Sequence, residues 1–147
     1  MVSKTTRKSN LNFTYKKHES LNEQICFYCG HFGDVADHVP PLAWIQFYPD
    51  YPRMLIRACH QCNAHLGCKT LPTLISRVDY LIKRYRKKYW KILISPDWDD
   101  EEINELKGSL KTYVSISRIQ HEVAHERIEF LMERKKQLLQ DVNTSYD

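Results

Sequence analysis

Residues 25–68 read ICFYCGHFGDVADHVPPLAWIQFYPDYPRMLIRACHQCNAHLGC, and they hold all five cysteines of the chain. Cys26-Phe-Tyr-Cys29 and Cys59-His-Gln-Cys62 are two CxxC units with 29 residues between them. A CxxC turn aims two thiolates at one ion, and two such turns complete a closed tetrahedral site. Four soft thiolates suit Zn²⁺, with no open coordination position and no redox chemistry, so the metal is expected to be structural. An iron–sulfur cluster and incidental thiols are the alternatives. The odd cysteine, Cys68, is expected to be free and buried.

Around this stretch the composition is that of a folded domain. The chain has 147 residues, 42% hydrophobic and 27% charged, a size that suits one domain. The N-terminus MVSKTTRKSN is polar and basic with no apolar stretch after it, and Leu42–Tyr48 is too short to span a bilayer. A soluble protein of a reducing, cytoplasmic compartment (a bacterium or a phage-infected host cell) is expected, with no membrane partner. The net charge of +4 conceals a split: residues 1–91 hold 15 Lys+Arg against 6 Asp+Glu, and residues 92–147 hold 7 against 12. The basic half has two concentrations. One is an N-terminal arm, residues 1–24, with Lys4, Arg7, Lys8, Lys16 and Lys17. The other is Lys83-Arg84-Tyr-Arg86-Lys87-Lys88-Tyr-Trp-Lys91. Cations so grouped suit a phosphate backbone, and they equally suit a solvated helix face.

C-terminal to the cysteines the pattern becomes helical. Leu74, Val78, Leu81, Ile82, Tyr85, Tyr89 and Ile92 recur at spacings of three and four, predicting a basic helix over 72–94. Asp97 to Glu102 form an acidic turn that starts the next helix, Gly108 punctuates it, and the spacing from Leu110 to Leu138 predicts a long amphipathic helix over 109–140. Its apolar stripe must bury against the 72–94 helix or against a second copy in a homodimer.

The segment between the cysteine pairs contains Asp37-His38-Val39-Pro40-Pro41, and Asn63 directly follows the second pair. Over residues 25–70 this order of CxxC, Asp-His and CxxC-Asn resembles the HNH endonucleases, the His-Me finger or ββα-metal family, in its zinc-bearing phage and bacterial form. The resemblance implies an α+β, mostly α protein: a zinc-stabilised ββα-metal module over 25–70 and a helical extension over 71–147. It also implies a metal-dependent endonuclease that hydrolyses DNA phosphodiester bonds. In that family the residue matching His38 is the general base for water, and those matching Asp37 and Asn63 hold a catalytic divalent ion. The types are apt: an imidazole titrates near neutrality, and a carboxylate is a hard ligand for Mg²⁺ or Mn²⁺. Adjacent strand residues point to opposite faces, so a twisted hairpin end is needed to bring Asp37 and His38 to one site. Arg53, Arg57, Lys69, Lys83, Arg84, Arg86, Lys87 and Lys88 are the expected contacts to DNA. A non-catalytic zinc module that binds nucleic acid or protein is the alternative.

The chain departs from the family pattern twice. Met54 stands at the middle asparagine, which fixes the catalytic histidine, and Leu66 stands where a lysine is common. A further string, His121-Glu122-Val-Ala-His125, matches the HExxH of zinc proteases, but Ile128 and Leu131 occupy the positions of the extended motif. It is expected to be an exposed helix face.

Overall fold

The computed structural model describes residues 14–144. The cations Lys4, Arg7 and Lys8 of the arm lie outside the described residues. Residues 14–24 of the expected arm are built into the fold. Lys16–Lys17 form strand β1, followed by a 3-10 turn over Glu19–Asn22.

Two five-residue strands, β2 (Val35–Val39) and β3 (Met54–Ala58), form an antiparallel pair, and β1 adds to β3 in parallel, giving the order β1-β3-β2. The register runs unbroken from Val35↔Ala58 to Val39↔Met54. Val39, Ile56 and Ala58 therefore share one face and are buried, as alternation in a one-sided sheet requires. His38, Leu55 and Arg57 take the other face, which the N-terminal segment covers. The Tyr15 ring meets His38 edge-on at 4.9 Å, and the His18 amide bonds the Leu55 carbonyl.

Helix α1 (His60–Leu66) starts at Cys59, whose sulfur caps the Cys62 amide. Helix α2 (Leu74–Leu93) starts in a capping box between Thr73 and Ser76. The acidic stretch starts a helix, as expected. Asp99 caps a short helix α3 (Asp100–Glu105), with three acids in its first turn where the dipole favours them. Gly108, at φ +65°, then allows the redirection into α4 (Gly108–Thr144). No helix among the described residues is long and apolar enough to cross a membrane.

One core joins these elements. Val78, Leu81, Ile82 and Tyr85 of α2 and Ile128 and Leu131 of α4 pack on the sheet face and the cysteines. The apolar stripe of α4 thus divides. Its C-terminal half lies on α2, with Lys135 bonded to Asp79 at 2.7 Å. Its N-terminal half leaves Leu110, Tyr113, Ile116 and Ile119 exposed.

One expectation about the loops is corrected. Cys68 is exposed, not buried; it follows the end of α1, where Lys69 and Thr70 are also exposed. In the Pro40–Pro52 loop Pro40, Pro41 and Ile45 are buried, whereas Phe47 and Tyr51 face solvent.

Candidate functional site

The two CxxC units meet. Four sulfurs, from Cys26, Cys29, Cys59 and Cys62, lie within 4.8 Å of one another and are buried. They are the sole cluster of three or more potential metal ligands among the described residues. Each pair is carried on a turn that its neighbours specify. Cys26 N–H bonds the His31 carbonyl at 2.7 Å, and Gly30 N–H bonds the Cys26 carbonyl at 3.0 Å, closing the first knuckle. The second knuckle is the start of α1, where Cys59 leaves β3.

Zn²⁺ fits this cluster on two observations. The Cys29 and Cys59 sulfurs stand 3.6 Å apart, close to the edge of about 3.8 Å for a tetrahedron with zinc–sulfur bonds of about 2.3 Å. The second is Arg127, from α4. Its guanidinium is buried and makes no ion pair with a carboxylate among the described residues, and its Nε has no hydrogen-bond partner. It lies over the Tyr85 ring at 5.1 Å and bonds Gln61 Oε1 and the Tyr89 hydroxyl. Burial opposes its charge, and among the groups that favour it Cys29 comes first. A buried cation of this kind needs a nearby anion, and a zinc ion with four thiolates is a net −2. Cys59 is the thiol pulled furthest toward the thiolate, through sulfur contacts from Cys26, Cys29 and Cys62 and the Cys62 amide. The Tyr85 hydroxyl lies 3.0 Å from Cys62 Sγ, placed to donate to a thiolate.

The knuckle and the last helix are fitted to each other. Gly30 sits at φ +76°, and a Cβ there would come within 2.6 Å of the Phe130 ring. Arg134 stacks its guanidinium 4.0 Å from the centre of Phe27 and donates to the Phe27 carbonyl at 2.8 Å.

The expected catalytic residues are not brought together in this way. Both carboxylate oxygens of Asp37 lie 2.7 Å from Arg77 Nη2, and the Tyr28 hydroxyl donates to Oδ2 at 2.6 Å. Arg77 is 1% exposed and also donates to Tyr28 Oη and the Leu71 carbonyl. Asp37, the expected ligand of Mg²⁺ or Mn²⁺, has its charge matched by a guanidinium inside the core. A divalent ion would have to displace a buried, multiply bonded cation. The unbroken register also keeps Asp37 and His38 on opposite faces, so no twisted end reunites them. His38 is half-buried, and burial holds its pKa below 6.5 against an opposing pull from Asp37. Asn63 is half-buried in α1, its backbone N–H bonded to the Cys59 carbonyl. Asn63 alone does not make a divalent-ion site.

The expected DNA contacts divide as well. Arg57 is used inside the fold, donating to the Glu23 and Leu21 carbonyls. Lys83 pairs with Asp79, Arg86 reaches the Met132 sulfur, Lys69 lies over Tyr80 at 5.3 Å, and Arg53 is half-buried at the start of β3. Arg84, Lys87 and Lys88 are exposed, as is Lys91, and none pairs with a carboxylate among the described residues. Arg84 Nε lies 3.4 Å from His65 Nδ1 on α1. The rings of His121 and His125 lie 4.4 Å apart on α4, tilted by 56°, with no third ligand beside them among the described residues.

Sequence reasoning missed Arg77, Tyr28 and Arg127. The signal was present for the first: Arg77 falls on the apolar face of the 72–94 helix, one residue before Val78. Compared with known protein families, curated proteins and solved structures, the chain gives no match.

Proposed function

We propose that the protein is a zinc-organised nucleic-acid-binding protein that holds a phosphate backbone along α2. The supporting observation is the row Arg84, Lys87, Lys88 and Lys91. These positions are spaced i, i+3, i+4 and i+7, so they form one stripe on the helix. All four are exposed and free of carboxylates among the described residues, and His65 extends the stripe onto α1. Backbone binding of this kind releases counterions and weakens steeply with salt. The test is the salt dependence of binding to labelled DNA, with wild type beside Lys87→Glu/Lys88→Glu. The double variant should bind more weakly and show a shallower slope. Unchanged affinity and slope would remove this reading.

A second reading, hydrolysis of DNA as an HNH endonuclease, is favoured by His38. It stands on the first strand of a strand–strand–helix unit joined by the cysteine pairs, and it is neutral at pH 7, able to take a proton from water. The capture of Asp37 by Arg77 counts against it. Nicking of supercoiled plasmid with added Mg²⁺ or Mn²⁺ separates the two readings. Cleavage by wild type that His38→Ala abolishes supports hydrolysis; no cleavage on any DNA or RNA form leaves binding alone.

A homodimer through the exposed residues of α4 belongs to the same proposal. Sedimentation at micromolar concentration tests it, and a monomer there would remove it.

A further inference from the structure

We infer that the nucleic acid held along α2 is single-stranded, with a base stacked on Trp90. The inference rests on the proposed phosphate grip and names the substrate class of that same surface. Trp90 lies on α2 between Lys87 and Lys91, three residues from one and next to the other. It is 52% exposed. Lys91 Nζ lies 5.7 Å from the indole centre. An indole half open to solvent on a cationic helix, with the Lys91 ammonium near its face, offers apolar surface to a partner.

The chemistry of the two halves selects the ligand. The lysines and Arg84 attract phosphate whether the strand is paired or not. An exposed indole adds binding only where a base face is free. In a duplex both faces of each internal base are already stacked, so Trp90 meets sugar and phosphate and gains little. In a single strand the bases splay from the backbone, and one can lie on the indole while its phosphates follow the lysines. Stacking of this kind tolerates any sequence, since every base has a π-face. Lys88 lies 5.5 Å from the ring of Tyr89, a second pairing of cation and aromatic on this helix, but Tyr89 is half-buried and its ring stacks on Tyr85.

The experiment measures anisotropy with the full chain, loaded with zinc, over one series of salt concentrations that is the same for every probe and variant. The probes are a labelled, non-self-complementary DNA strand of about 20 nucleotides, long enough to cover an ordinary single-strand site, and the duplex made by annealing its complement. The single strand should bind at least about tenfold more tightly. Trp90→Ala should weaken single-strand binding by about fivefold or more, as loss of one stacked base does, with duplex binding and the salt slope unchanged. Trp90→Phe should recover most of the loss. Equal affinity for both probes with a neutral Trp90→Ala overturns the inference and leaves the phosphate grip standing. Equal weakening on both probes also overturns it, since it marks a change in the helix itself. Absence of binding to either probe at low salt overturns the phosphate grip and the inference together.

Discussion

Arg77 Nη2 stands 2.7 Å from each carboxylate oxygen of Asp37, forty positions earlier in the chain, with both side chains inside the core. This ties the start of α2 to the middle of β2. Removing one partner strands a buried charge, so Arg77→Met should cost about 3–5 kcal/mol. Arg77→Met with Asp37→Leu should recover a large part of it. Urea denaturation with saturating zinc measures both. A single-variant loss below about 1 kcal/mol, the range of a surface pair, would mean that the pair is not the buried one described.

Gly30 and Phe130 give a second test, of the contact between the knuckle and α4. Gly30→Ala meets a positive φ and a ring at 2.6 Å, and should cost about 1–3 kcal/mol. Adding Phe130→Ala removes the collision but not the backbone strain. The two changes should therefore be less harmful together than their separate costs imply, by denaturant midpoint in a double-mutant cycle.

The four-cysteine cluster was legible from spacing alone, because a CxxC turn fixes the geometry of its two sulfurs locally. The helices were legible from Leu74 to Ile92 and from Leu110 to Leu138, because burial on one face imposes the period. The roles of Asp37 and Arg77 were not. An Asp-His pair on a strand shows nothing of what faces it, and the partner of Asp37 arrives from a helix forty residues away. Arg57 misled in the same way: its charge suggested phosphate, yet it ends on two backbone carbonyls that only the folded N-terminal segment presents. The acidic stretch gave its helix start, and Gly108 gave the break, because a glycine accepts the positive φ that the redirection needs.

Metal content gives a third prediction. The protein should carry one zinc per chain by elemental analysis, and Cys62→Ser should lose it. Removal by a chelator should abolish the cooperative thermal transition, and added zinc should restore it, because the binding energy of a structural zinc is folding energy. A chelated protein with an unchanged transition would show that the cysteines fold without metal.

Acid should destabilise the protein through its imidazoles. Burial lowers the pKa of both His18 and His38 from 6.5. The unfolded chain therefore takes up protons near pH 6.5 that the folded chain refuses. Their contribution is present above that pH and is lost as pH falls toward the lower folded values. Denaturation between about pH 7.5 and 5.5, spanning the titration of a free imidazole, with zinc kept saturating, should show falling stability. His38→Gln should flatten part of the slope, and an identical slope in wild type and variant would assign it elsewhere.

The bond from Arg134 to the Phe27 carbonyl spans 107 residues, and that span sets a timetable. At a synthesis rate of about 5–20 residues per second, the first knuckle leaves the ribosome roughly 5–20 s before the helix that covers it. During that interval Phe27 and the first two thiols wait without their cover, exposed to oxidants and to other chains. The final quarter of the chain thus serves as a late-arriving shield, and a protein cut short before Phe130 would leave its earliest metal-binding turn permanently open.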